Sequence, residues 1–171
     1  MIQVPDGKNL VHLQLRRFAG CPICNTHLRS VVQRKDEIAR AGIHEVVVFH
    51  STREELQRYA ADLPLDTVAD PKRELYREFG VERSASAVLN LRLWPKFPRI
   101  MFTALRRALH GRGFPPLRPN GGLLGRPADI LMSAGGRVVA VNYGAHAYDQ
   151  WSVDELLAHA EAANASERAA S

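Results

Sequence analysis

Cysteine is scarce here: the 171 residues hold only two, which rules out a scaffold stapled by several disulfides. No apolar run approaches the roughly 18 residues that a membrane span needs. Acidic residues are missing from the whole stretch between Ser84 and Arg126, which carries eight basic ones: Arg92, Lys96, Arg99, Arg106, Arg107, Arg112, Arg118 and Arg126. The formal charge of +5 therefore arises locally, and the rest of the chain is slightly acidic. That stretch contains no recognisable nucleic-acid-binding motif, so no nucleic-acid partner is expected. Residues 1–8 have neither the basic n-region nor the apolar h-region of a secretory signal, and the cytoplasm is the expected location. A 46% apolar chain of this length suits one packed core. The expected organisation is a single domain over 1–163, with an insert at about 84–125 and a flexible tail at 164–171.

What is present begins with the two cysteines, which form one motif, Cys21-Pro22-Ile23-Cys24. The motif follows a strand expected over residues 10–17 and opens a helix expected over 22–41, stopped by Gly42. A helix N-terminus offers unpaired N–H groups and the positive end of the helix dipole, and both stabilise a thiolate. Pro22 suits the first helical position. Cys21 is then the exposed nucleophile at the N-cap, and Cys24, one turn inward, the resolving thiol. Two other readings compete. Cys21, Cys24 and His27 supply three zinc-type ligands, but structural zinc wants four and no second pair follows. The cysteines can equally be an inert buried pair.

His44–His50 reads as a strand buried on both faces, and Ser51-x-x-Glu54 as a capping box for a helix to about Asp62. Asp70-Pro71 starts a short helix that Gly80 closes. Residues 128–132 and 137–143 flank Gly135-Gly136 as a hairpin, and Ser152-x-x-Glu155 caps a last helix through about Ala163. Strands alternating with helices imply an α/β sheet with helices on both faces. Within the insert, Pro95–His110 reads as an amphipathic helix, with Leu105 and Leu109 on its apolar side and Arg106 on its basic side. The apolar side is expected to pack on the domain.

This order resembles the thioredoxin fold: a central mixed β-sheet with helices on both faces, and here a basic helical insert before the third core strand. Thioredoxin-like proteins carry a cis-proline at the start of that strand, facing the dithiol. Gly125-Arg126-Pro127-Ala128 matches the element, which makes Pro127 the candidate. The closer similarity is to the peroxiredoxin-like branch, the alkyl hydroperoxide reductase and thiol-specific antioxidant superfamily. Phe18–Cys24, Val68–Gly80 and Arg126–Ala160 carry it. The resemblance implies a thiol-dependent oxidoreductase. Family members place Pro-x-x-x-Thr-x-x-Cys around the reactive cysteine, whereas this chain has Gln14 and Phe18 at the proline and threonine positions. The family arginine that faces the thiolate has Pro127 in its place, with Arg126 one residue early. Arg126 is left as either a polarising or substrate-binding residue, or a solvent-facing one.

The expected function is thiol–disulfide exchange through Cys21 and Cys24, with peroxiredoxin-type reduction of a peroxide as the alternative. Neither route calls for an organic cofactor or a metal. The partners are then a small peroxide or disulfide substrate and an external dithiol reductant, with a homodimer as a further option. A membrane partner is not expected. A reading from another class makes the chain a redox-sensing or interaction module whose basic insert meets an acidic partner or an anionic membrane surface.

Overall fold

The computed structural model describes residues 7–81 and 125–170, together with Pro98, Phe102, Leu105, Arg106, Leu109 and Gly122. Five strands form one sheet: β1 (Leu10–Arg16), β2 (Ile43–Phe49), β3 (Asp66–Ala69), β4 (Ala128–Met132) and β5 (Val138–Tyr143), in the order β3-β2-β1-β4-β5. β1 lies at the centre, parallel to β2 and antiparallel to β4. β3 runs parallel to β2, and β5 pairs antiparallel with β4 through the expected hairpin. β3 has no counterpart in the sequence reading. Its four residues, Asp-Thr-Val-Ala, are too few to show a period.

Alternation along the strands sorts side chains to two faces. On one, Val11, Leu13, Leu15, Val46, Val48, Ile130 and Met132 pack against Tyr76 of a short helix, α4 (Glu74–Glu78). The other is covered by α1 (Pro22–Gln33), α2 (Lys35–Arg40), α3 (Arg53–Ala60) and α5 (Val153–Ala170). Leu28, Val47, Phe49 and Leu56 form one cluster there, and Val31, Ile38, Leu131, Trp151 and Leu156 a second.

Local chemistry moves several boundaries. The helix expected over 22–41 breaks at Arg34 (φ −112°, ψ 18°), whose guanidinium is held by Glu37 at 2.7 Å and Asp154 of α5 at 2.5 Å. Gly42, at φ +72°, does end the second piece. The α3 cap is Thr52 rather than Ser51. Ser51 is buried and its Oγ accepts the Ala19 N–H at 3.0 Å, while Thr52 Oγ1 accepts the Glu55 N–H at 3.4 Å. Asp70 does cap α4, but from outside it: its carboxylate takes the Glu74 and Leu75 N–H groups, both at 2.9 Å. Ser152 and Glu155 form the expected capping box, and α5 runs on to Ala170 where a tail was expected from Asn164.

The insert at 84–125 lies outside the described residues except for isolated positions. Of these, Pro98, Phe102, Leu105, Arg106 and Leu109 are helical. Leu105 and Leu109 are 47% and 77% exposed, so they do not pack on the domain as expected. Among the described residues no helix is long and apolar enough to cross a membrane.

Candidate active site

β1 ends at Arg16, and Arg17-Phe18-Ala19-Gly20 carries the chain to the dithiol. Gly20 adopts φ +84°, a left-handed turn that suits glycine, and the Cys21 N–H closes the turn on the Phe18 carbonyl at 3.1 Å. Cys21 is the N-cap of α1 and Pro22 occupies its first turn. Cys24 stands one turn along the helix and directs its S–H at the Cys21 sulfur. That hydrogen bond, the Arg17 guanidinium and the backbone N–H groups of Cys24 and Ile23 together outweigh burial and lower the Cys21 thiol to about 6. Cys24 moves the other way. Its proton is engaged by Cys21, and burial next to a developing thiolate pushes it well above the ordinary thiol range.

Cys21 therefore stands at the helix N-cap as expected, but it is not exposed as expected. Cys21 is 1% exposed and Cys24 fully buried, because Phe18 and Ile23 pack against the pair. Both are free thiols. The sequence reading also missed Arg17. Its Nη1 lies 3.8 Å from Cys21 Sγ and its guanidinium lies over the Phe18 ring at 5.5 Å. The available signal was a basic residue four positions before Cys21, just past the strand that leads to it.

The carboxyl ends of β1, β2 and β3 and the start of β4 meet at this edge of the sheet. His50, just past β2, is buried edge-on to Phe18, and Arg73 Nη2 lies 3.3 Å from its Nδ1. Arg73 holds φ 57°, ψ 41°, the one described non-glycine residue in the left-handed region, at the N-cap of α4. Gly125 leaves room for this cluster: a Cβ there would stand 3.3 Å from His50 Nε2 and 3.8 Å from Arg73 Nη1. Pro127 is buried immediately before β4, and its carbonyl accepts the Gly144 N–H at 2.9 Å. Arg126 is half-buried, and its Nε is enclosed without a hydrogen-bond partner among the described residues.

Behind the dithiol helix lies a second feature absent from the sequence reading. His12, Gln14 and Arg16 of β1 alternate onto the face covered by α1 and α5, where they are buried with Glu45 and Asp129. His12 Nδ1 lies 3.0 Å from Glu45, and its Nε2 lies 3.2 Å from Asp129. Arg16 reaches Asp129 at 2.5 Å and Gln14 at 2.6 Å, and Gln14 donates to Glu45. The other Asp129 oxygen accepts the Trp151 N–H at 3.1 Å. Burial acts to lower His12, but Glu45 and Asp129 prevail and raise it to about 9, a buried cation. Burial likewise disfavours the Asp129 anion, yet Arg16 and His12 hold its carboxyl below the usual range. His27, half-buried on α1, is lowered to about 3 by burial and by Arg16, so it stays neutral beside this network. Among the described residues no group of three or more His, Cys, Asp or Glu is arranged to hold a metal ion.

A mixed sheet with a strand–dithiol–helix unit at its centre defines a thioredoxin-like fold. The chain belongs to the AhpC/TSA antioxidant enzyme family, whose profile matches residues 30–146, a stretch that begins after the dithiol. Solved structures agree on the fold. A 2-Cys peroxiredoxin of Plasmodium vivax is 12% identical, with a TM-score of 0.67, over 95% of this chain and 69% of that one. Peroxiredoxin 6 of Arenicola marina is 14% identical, TM-score 0.61, and this chain covers 60% of its length with 90% of its own. Peroxidoxin BcpB of Mycobacterium tuberculosis is 14% identical, TM-score 0.61, over 93% of this chain and 82% of that one. No curated protein matches in sequence.

Proposed function

We propose that the chain is a dithiol oxidoreductase in which Cys21 attacks the oxidised substrate and Cys24 resolves the adduct. The observation that carries this is the opposite pull on the two thiols: Cys21 is lowered to about 6 while Cys24 is held protonated. At neutral pH one sulfur is a thiolate and the other carries the proton. Cys21 thiolate attacks one sulfur of a disulfide and displaces a thiolate. Cys24 then gives up its proton and attacks Cys21, closing the intramolecular disulfide. An external dithiol returns the pair to the reduced state. Pro127, immediately before β4, is read as the residue facing the dithiol on the substrate side, and Arg126 as its polar neighbour. Neither step needs a metal or an organic cofactor.

The second reading is reduction of a peroxide, favoured by membership of an antioxidant enzyme family and by the peroxiredoxin names of the solved structures. Cys21 would then pass through a sulfenic acid, and condensation with Cys24 would release water.

Trapping separates the roles. Cys24→Ser is expected to accumulate a one-to-one mixed disulfide at Cys21, visible by mass spectrometry, and Cys21→Ser to form none. A mixed disulfide at Cys24 in the second variant would reverse the assignment. Rapid mixing of the reduced protein with one equivalent of hydrogen peroxide decides between substrates. Loss of both thiols far above a free-thiol rate supports the peroxidase reading, and loss at a free-thiol rate leaves disulfide exchange.

A further inference from the structure

We infer that Tyr76 of α4 is a positioning residue for the resolving step, its hydroxyl holding the peptide that supports Cys24; this rests on the reading of Cys24 as the resolving thiol. β1 ends at Arg16, so the Arg16–Arg17 peptide is the first to leave the strand. Its two polar groups take different partners. The Arg16 carbonyl accepts the Tyr76 hydroxyl, and the Arg17 N–H donates to the Cys24 sulfur. The same hydroxyl lies 3.0 Å from the Val48 carbonyl of β2, so it bridges the ends of two neighbouring parallel strands. Arg17 thus serves both thiols, Cys24 through its N–H and Cys21 through a guanidinium 3.8 Å away, and Tyr76 anchors the peptide it hangs from.

The hydroxyl is the part of Tyr76 that packing does not require. The ring is buried in the core, edge-on to His50 at 5.8 Å and beneath the Arg73 guanidinium at 6.0 Å, and phenylalanine would fill the same space. Burial, and the charge that Cys24 can carry, push the phenol well above its ordinary range, so Tyr76 stays a protonated donor and exchanges no proton with the thiols. A donor on the carbonyl polarises a peptide and strengthens its N–H in turn. The thiolate that develops on Cys24 during resolution therefore meets a firmer N–H. Cys21 depends less on Tyr76. Its N–H donors belong to Cys24 and Ile23, and the Arg17 guanidinium is also held over the Phe18 ring at 5.5 Å.

The step it supports balances without another reactant. Cys21 thiolate bonds to one sulfur of the substrate disulfide, whose S–S bond breaks and releases the first thiolate. That thiolate takes the Cys24 proton. Cys24 then bonds to Cys21, the bond from Cys21 to the substrate breaks, and the second thiolate leaves. Two electrons pass from the dithiol to the disulfide.

The test mixes the reduced full chain rapidly with a concentration series of 2,2′-dithiodipyridine and follows release of pyridine-2-thione. Attack by Cys21 gives a rate that rises with disulfide concentration, and closure by Cys24 gives the plateau. In Tyr76→Phe the closing rate should fall about three- to tenfold, the worth of one hydrogen bond, while the attack rate changes less than about twofold. The Arg17 amide proton resonance of the reduced chain should move upfield as its bond to sulfur weakens. A closing rate unchanged, both rates slowed alike, or an unmoved Arg17 resonance overturns the inference alone. Circular dichroism checks that Tyr76→Phe is folded. If it is not, tyrosine is replaced throughout by 3-fluorotyrosine, a stronger donor, which should quicken closure and move the Arg17 resonance downfield; no change in either overturns the inference. If the unaltered chain releases no thione faster than a free thiol does, or Cys24→Ser closes as before, the Cys21–Cys24 reading itself fails and the inference goes with it.

Discussion

Arg17 Nη1 stands 3.8 Å from Cys21 Sγ, so the cation beside this thiol comes from the strand end and not from the helix that carries it. The Cys24 hydrogen bond is the larger influence on Cys21, and Arg17 adds to it against the cost of burial. Replacing Arg17 by Gln should therefore raise the Cys21 pKa from about 6 toward the ordinary thiol value. The pH dependence of alkylation, or of thiolate absorbance, checks this. An unchanged midpoint would show that Cys24 and the helix N–H groups suffice.

The His12 cation predicts an alkaline limb in stability. Its folded pKa is raised from 6.5 to about 9, so its contribution is complete below 6.5 and is lost as pH rises through about 9. A shift of that size corresponds to about 3 kcal/mol. The thiols titrate in the same window, so the measurement belongs in the Cys21→Ser, Cys24→Ser background. Urea midpoints there should fall between pH 6.5 and 9, and His12→Gln should flatten the decline. A slope that survives the substitution would place the titration elsewhere.

Asp129 has the opposite sign. Its folded pKa is depressed, so its stabilisation is present above the ordinary aspartate value and is lost as pH falls below it. Asp129→Asn leaves the Arg16 guanidinium and the His12 imidazolium buried together without their shared anion. Removing one partner of a buried pair costs roughly 3–5 kcal/mol. Chemical denaturation at neutral pH should show a loss of that order, and a loss below about 1 kcal/mol would mean water or another group replaces the carboxylate.

Gly144 is held by space rather than by its φ. A Cβ there would collide with the Asp149 carbonyl oxygen and stand 2.9 Å from Pro127 Cγ. Gly144→Ala should destabilise the fold by about 1–3 kcal/mol, the usual cost of overpacking. Pro127 is one of the two residues such a Cβ would press on, so if Pro127 faces the dithiol as proposed, the rate of Cys21 oxidation should change as well. A lower melting temperature with unaltered kinetics would separate Pro127 from the dithiol.

What the sequence by itself determined is what short-range physics controls. The Cys21-Pro22-Ile23-Cys24 N-terminus, the Gly42 stop, the hairpin around Gly136 and the Ser152–Glu155 capping box all rest on contacts within a few residues. Even where a cap moved, from Ser51 to Thr52, the cause was a long-range bond, the one from Ala19 to Ser51.

Only the tertiary structure decided how the alternation His12, Gln14, Arg16 would be used. A polar strand face ordinarily meets water. Here it is buried, because Glu45 and Asp129 arrive from the two flanking strands to satisfy it. The same holds at the site. Sequence placed Cys21 at a helix N-terminus, where it should be exposed; the packing of Phe18 and Ile23 closed it off. Arg17, His50, Arg73 and Gly125 become neighbours only because parallel strands end on one edge, and burial and charge pairing between distant residues leave no periodic trace in a single chain.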